Sequence, residues 1–254
     1  MINDSVKTDY PSVKFIDYNV YSGGLDNLSI NVGAQTLINT INQYSYCMAD
    51  IYPGFKNALV KSDILLPDGI GITLSIRMIT GDRVIKIAGA DVHFHLLDQM
   101  NSAGSRCFYL GSSERTLRKI TNRIKRQYPN IILGTYSPPY KPQFSDEDNE
   151  QMIAAVNNFK PDVLFVGMTA PKQETWAFEH KNNLDAKIIC SIGAVFDFFA
   201  GTVRRPSKFW INLGLEWFIR LLKEPKRMSR RYLYYGPVFV YLMLKYKLGT
   251  SFKR

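Results

Sequence analysis

The stretch Val163-Leu164-Phe165-Val166-Gly167-Met168-Thr169-Ala170-Pro171-Lys172-Gln173-Glu174 decides the fold. Four consecutive apolar residues closing on a glycine read as a buried strand, and Pro171 at a first helical position opens a helical run, Lys172–Asn182. The same alternation extends outward in both directions. Ile64–Leu66, Arg106–Leu110, Ile131–Leu133 and Ile188–Ile192 read as further buried strands, and Gln35–Tyr44, Ala90–Met100, Ser113–Gln127 and Asp146–Phe159 as helices. The clearest helix is Ser113–Gln127, where Leu117, Ile120 and Ile124 share one face and Arg115, Lys119, Arg123 and Arg126 surround the other. Alternating strand and helix implies an α/β protein with a mainly parallel sheet covered by helices.

In such sheets ligands bind beyond the carboxyl ends of the strands, so loops that follow strands are where chemistry is sought. Three are unusual. In Leu65-Leu66-Pro67-Asp68-Gly69-Ile70-Gly71 a carboxylate follows a strand directly, with two glycines beside it that let backbone amides approach a ligand. Pro-Asp-Gly is also a common turn, and the third glycine of a dinucleotide fingerprint is replaced by Leu74. In the Gly167–Glu174 loop, the amides at the helix start and Lys172 suit an anion, and Gln173 brings a donor and an acceptor for sugar hydroxyls; an ordinary capped helix start reads the same way. In Gly193-Ala194-Val195-Phe196-Asp197-Phe198-Phe199-Ala200-Gly201 one acid stands among aromatic and small residues, either buried for a purpose or at a pocket rim.

Charge separates the chain into two parts. Of its 32 Lys and Arg residues thirteen lie in 203–254, against two of the 22 acids, Glu216 and Glu224, so the formal charge of +10 belongs to the C-terminal quarter. Eleven aromatic residues are interleaved there. We expect a body, 1–202, and a basic, aromatic, helical appendage, 203–254. Phosphate-bearing surfaces attract such a tail, and the spacing favours a membrane over nucleic acid. In a helix over Leu213–Lys223 the residues Leu215, Phe218, Ile219 and Leu222 share an apolar face, and Tyr232–Leu244 is uncharged between Arg227, Arg230, Arg231 and Lys245, Lys247. Thirteen residues are too few to span about 30 Å of hydrocarbon, so an amphipathic or shallowly inserted segment is expected. A C-terminal core helix with a solvated basic face is the alternative.

A hydrophobic content of 46% argues against disorder, and Met1–Tyr18 has no apolar run of a secretory signal. Cys47, Cys107 and Cys190 are odd in number and far apart, as buried free thiols of a cytoplasmic protein are. His93 and His95 lie two apart on a helix and so point to different faces, against a metal site. No Walker loop, Cys-x-x-Cys or Ser/His/Asp order occurs.

The ordered motifs Thr40-Ile41-Asn42, Pro67-Asp68-Gly69-Ile70-Gly71, Ile87-Ala88-Gly89-Ala90-Asp91, Gly167 with Pro171-Lys172-Gln173-Glu174, Phe196-Asp197-Phe198 with Gly201, and Leu215-Glu216-Trp217-Phe218-Ile219-Arg220 followed by Glu224-Pro225 and Arg227 resemble the bacterial WecG/TagA/CpsF glycosyltransferases. The resemblance runs from about Asn31 to Arg231. It implies a Rossmann-like domain of the type called GT-E, with an appendage that targets the membrane and helps close the active site. The implied reaction is transfer of a sugar from a UDP-sugar to an undecaprenyl-diphosphate-linked sugar, inverting and without metal or cofactor, at the cytoplasmic face of the membrane, in the making of a cell-surface polysaccharide. Under the resemblance Asp68 is the catalytic base, Thr40 and Asn42 line its pocket, Gln173 positions sugar and Asp197 contacts the nucleotide. The appendage arginines, Arg220, Arg227, Arg230 and Arg231, would stabilise the departing diphosphate or hold that of the acceptor.

One departure bears on the donor. Lys86 stands where the family usually has Arg, which keeps a charge for phosphate but loses the planar fork suited to a carboxylate. N-acetylmannosamine or glucose is therefore expected ahead of a uronic acid. Rival readings are another nucleotide-binding enzyme, such as a dehydrogenase or methyltransferase, and a non-catalytic scaffold of a polysaccharide assembly complex. Nucleic-acid binding leaves the three loops unexplained. A homo-oligomer is plausible from the apolar body face.

Overall fold

The computed structural model describes residues 10–203, 206–207, 209–210 and 215–251. Strands β1 (Ser12–Phe15) and β2 (Tyr18–Tyr21) form an antiparallel hairpin. The remaining strands are β3 (Thr36–Ile41), β4 (Ile64–Pro67), β5 (Arg106–Gly111), β6 (Ile132–Tyr136), β7 (Val163–Gly167) and β8 (Ile188–Ser191). They make one parallel sheet in the order β4-β3-β8-β7-β5-β6. The expected helix-covered parallel α/β fold is what the chain adopts.

Burial explains the central strands. Every residue of β7 and of β8 is inaccessible, so both faces are covered by helices and the sequence shows an apolar run rather than alternation. One face packs on α4 (Gly89–Ala103), α5 (Glu114–Gln127) and α8 (Gly193–Phe199), the other on α6 (Asp146–Phe159) and α7 (Lys172–His180). The expected buried strand at Ile131–Leu133 is shifted to Ile132–Tyr136 and lies at the sheet edge, where Ile132 stays half exposed.

The segment expected to be a helix over Gln35–Tyr44 is instead β3. Thr36–Ile41 is buried except for Thr40 and pairs with β4 on one side and β8 on the other. A short apolar run buried on both faces has no period to distinguish it from a helix, and β-branched Thr36, Ile38, Thr40 and Ile41 favour the strand. The helix begins later: Asn42 caps α1 (Gln43–Ile51), accepting from the Ser45 amide, while the Ser45 hydroxyl accepts from the Asn42 amide. Helix α2 (Pro53–Val60) follows α1 and precedes β4, and α3 (Ile70–Thr80) follows β4.

Beyond the sheet come α9 (Glu216–Lys223), α10 (Pro225–Ser229), a π-helical turn over Arg230–Tyr234, and α11 (Tyr235–Ser251). Residues 213 and 214 of the expected helix lie outside the described residues. Tyr235, Phe239 and Met243, spaced by four, are buried in a cluster with Phe15, Tyr18, Met48, Phe55 and Ile72. The opposite side of α11 exposes Val240, Tyr241, Leu244 and Leu248. The expected amphipathic segment is thus apolar on both sides, one docked on the body and one uncovered. Helix α9 is turned the other way from a core helix: Phe218 and Leu222 are exposed, while Glu216 and Arg220 line the cavity described next.

Candidate active site

All strands of the parallel sheet end on the same side, and a cavity of about 1180 Å³ lies over those ends. It is walled by the loops after β3, β4, β5, β6, β7 and β8 and by arginines of the C-terminal helices. Thr40, Asn42, Asp68, Gln173, Asp197, Arg220, Arg227, Arg230 and Arg231 all line it, so nine residues singled out from sequence converge here from five separate stretches of chain. Lys86 is not in the lining.

Asp68 leaves β4 with its amide donating to the Ile41 carbonyl at 2.9 Å, so the loop is tied to the neighbouring strand. Gly69 follows at φ 106°, a conformation that a side chain would strain, and starts α3. Burial pushes the Asp68 carboxyl up to about 6; the charge of Glu216 adds to the rise, and Arg220 and Lys86 oppose it. Above this carboxyl, Arg220 carries Nε and Nη2 atoms that are buried without hydrogen-bond partners among the described residues, and its guanidinium lies 5.3 Å from the Phe198 ring centre. A buried carboxyl near neutrality beside a cation with unmet donors is an arrangement for moving a proton next to developing negative charge.

Lys86, expected as a substrate contact, stands outside the lining and pairs within the protein. Its ammonium reaches Glu216 of α9 at 3.5 Å, both groups being partly buried, and so joins the body to the C-terminal helices. Its charge still bears on Asp68.

Gln173, which lines the cavity, is also hydrogen-bonded within the protein. Its Oε1 accepts from the Met168 amide at 3.1 Å and the Gly193 amide at 3.0 Å, and its Nε2 donates to Glu174. The side chain thereby ties the β7–α7 loop to the β8–α8 loop. Lys172 is likewise engaged, donating to the Lys141 carbonyl at 2.6 Å over the Phe144 ring. Pro171 does not begin the helix but precedes it, after a cis Ala170–Pro171 bond. Asp197 is half-buried at the rim, with the Thr202 hydroxyl donating to its carboxylate at 3.2 Å.

Two features were not singled out as site residues from the sequence. One is the β6–α6 loop, where Ser137, Tyr140 and Phe144 join the lining; its Pro-rich stretch carries no signal that separates a wall from a surface loop. The other is Glu174, buried beside Gln173, with a carboxyl pushed up to about 7 by burial and an Oε2 that has no hydrogen-bond partner among the described residues. In sequence it is an acid in a helix's first turn, where acids are favoured for exposed reasons. His93 and His95 do not converge: His93 is buried against Tyr109 at 2.6 Å, and His95 meets the Leu28 carbonyl. The three cysteines are buried and free.

A parallel α/β sheet with a cavity over its strand ends, lined by a buried acid and clustered arginines, has the form of an α/β enzyme whose site lies beyond the carboxyl ends of its strands. The family model described as "Glycosyl transferase WecG/TagA/CpsF family" matches residues 18–253, and the chain belongs to that family. It is a glycosyltransferase. Among similar proteins, one from Bacillus spizizenii is 31% identical over 78% of this chain and 75% of its own length. One from Bacillus subtilis is 30% identical over 85% and 80%, and one from Staphylococcus aureus 26% over 83% and 80%. All three are named N-acetylglucosaminyldiphosphoundecaprenol N-acetyl-beta-D-mannosaminyltransferase. No helix among the described residues is long and apolar enough to cross a membrane.

Proposed function

We propose that this enzyme moves a sugar of the N-acetylmannosamine type, or glucose, from a UDP-sugar to an undecaprenyl-diphosphate-linked sugar, as a step in making a bacterial cell-surface polysaccharide. The observation that carries this reading is the pairing, in one cavity, of the near-neutral Asp68 carboxyl with the unmet Arg220 donors. Asp68 takes the proton of the acceptor hydroxyl as that oxygen attacks the anomeric carbon. The bond from that carbon to the diphosphate breaks, its electron pair leaves with UDP, and configuration inverts. Arg220, Arg227, Arg230 and Arg231 balance the charge gathering on the diphosphates of donor and acceptor. Thr40 and Asn42 meet the transferred sugar, and Asp197 the nucleotide. Gln173 sets the floor by bracing two loops, and Lys86 holds α9 over the site through Glu216. The names of the relatives support N-acetylmannosamine over glucose and over a uronic acid.

The appendage, 203–254, is the membrane-association part, at the cytoplasmic face where the lipid-linked acceptor would be met. The outward apolar residues of α9 and α11, with basic residues beside them, support this. The test is UDP release from a panel of UDP-sugars with and without a short-chain polyprenyl-diphosphate N-acetylglucosamine, comparing wild type with Asp68→Asn. Acceptor-dependent release that the substitution abolishes is expected. Acceptor-dependent release undiminished in Asp68→Asn removes the assigned base, and no acceptor-dependent release from any donor removes the transferase assignment to these substrates.

A further inference from the structure

A small chamber of about 30 Å³ opens at the side of the main cavity. One water centre needs roughly 10–15 Å³ measured with a water-sized probe, so the chamber takes two or three groups of that size. Its wall is divided. Met48 and Phe55 form an apolar part, and Thr40, Asn42, Glu174 and Arg231 a polar part. Glu174 is 3% exposed and lines both spaces; its Oε1 accepts from Gln173 at 2.8 Å and its Oε2 is the buried oxygen without a partner. Leaving a buried carboxylate oxygen unmet is costly, which marks it as a position that a substrate group completes. The Arg231 guanidinium carbon lies 4.3 Å from the Tyr44 ring centre, a cation–π contact that holds its head group at the chamber wall.

We infer that this chamber receives a 2-acetamido group of an N-acetylhexosamine, with Glu174 Oε2 accepting its N–H, Arg231 donating to its carbonyl oxygen and its methyl against Met48 and Phe55. The inference rests on the transferase reading above and names the feature of the substrate that the site selects. A ring hydroxyl matches the wall less well, because it would leave the apolar half without a partner. An acetamido group brings a methyl, a donor and an acceptor in one flat unit of three heavy atoms beyond its nitrogen, which is the composition of the wall. Glu174 is thereby a specificity-determining residue, and Asp68 remains the group at the reacting atoms. The acetamido group can arrive on the donor sugar or on the acceptor sugar, and the experiment separates the two.

Wild type, Glu174→Ala and Glu174→Gln are compared with UDP-N-acetylmannosamine against UDP-mannose, and with short-chain polyprenyl-diphosphate N-acetylglucosamine against its glucose counterpart. In wild type, removing the acetamido group from the recognised substrate is expected to lower kcat/KM by about 100-fold or more, since a site built to meet a polar group rejects the analogue that lacks it. In Glu174→Ala that ratio falls to about 5-fold or less, because the loss falls mainly on the substrate that carries the group. Glu174→Gln keeps the shape, but with its oxygen taken by Gln173 Nε2 it sets an NH2 donor where Oε2 stood, so the ratio stays low. The substrate pair whose ratio collapses identifies the source. Equal loss on both members of each pair, or unchanged ratios in Glu174→Ala, overturns the inference, because a structural or water-holding role predicts one or the other. Thermal shifts of wild type with the two UDP-sugars, and with N-acetylglucosamine and glucose diphosphate esters, need no turnover. Equal shifts within both pairs overturn the acetamido chamber even where transfer is observed, and unequal shifts without transfer uphold it while removing the catalytic reading.

Discussion

In the proposed reaction Asp68 serves as base only with its carboxylate unprotonated, and burial raises that transition to about 6. The kcat/KM of wild type should therefore rise through an acid limb near pH 6, and Asp68→Asn should lower kcat by about 10³-fold, within the range of general-base contributions, without loss of the folded state. The second buried acid affects stability. Folding raises the Glu174 carboxyl from 4.5 to about 7, so the native state prefers the protonated form. Its contribution is complete below 4.5 and is lost as pH rises through 7. Glu174→Gln removes the titration, and thermal melts should show the variant gaining on wild type between pH 5 and pH 8, by about 2–3 kcal/mol at the upper end. Parallel melting curves for the two proteins across that range would remove this account of Glu174.

At the scale of elements, the site depends on two loops held by one amide. A Cβ on Gly193 would collide with the Met168 carbonyl and with Gln173 Oε1, the atom that joins the two loops. Gly193→Ala should therefore destabilise the fold by about 1–3 kcal/mol and depress turnover more than Asn42→Ala, which loses a helix cap worth about 1 kcal/mol; chemical denaturation with turnover measured alongside checks both. The same loops show what was legible in the sequence. Pro67-Asp68-Gly69 and the run from Gly167 to Glu174 stood out because a strand end followed by glycine or proline has few purposes, and the sheet does bring both to one cavity. The internal use of Gln173 was not legible, since its partners are main-chain amides at Met168 and Gly193 that only the packing of two loops brings within reach. Gln35–Tyr44 reads as a helix, and Thr36–Ile41 is a strand, because burial on both faces erases the period that separates the two. Glu174 carries no sequence signal of a site residue, because nothing in a helix's first turn distinguishes a buried acid from a solvated one.

Over the whole molecule, the C-terminal helices join two surfaces. Their inward residues, Glu216, Arg220 and Arg231, line the cavity, and their outward ones, Phe218, Leu222, Tyr241 and Leu244, are uncovered. Replacing Tyr241 and Leu244 together by Glu should leave stability within about 0.5 kcal/mol, as at exposed positions, while reducing sedimentation with anionic lipid vesicles several-fold. Phe239→Ala, at the docked face, should instead cost about 3 kcal/mol in stability by opening a hole beside Tyr46. Vesicle binding unchanged in the double Glu variant would remove the membrane role of that face.

The Lys86–Glu216 ion pair and the shared cavity wall also give the chain a built-in reporter of occupancy. The strand ends form a floor fixed in the sheet, and the arginines form a roof carried by helices that are separate from it in sequence. A substrate that grips both is a crosslink between them. At a concentration a hundred times its dissociation constant, such a ligand adds about 2.7 kcal/mol to whatever already keeps the roof seated, so the firmness of the C-terminal helices becomes a measure of how full the site is.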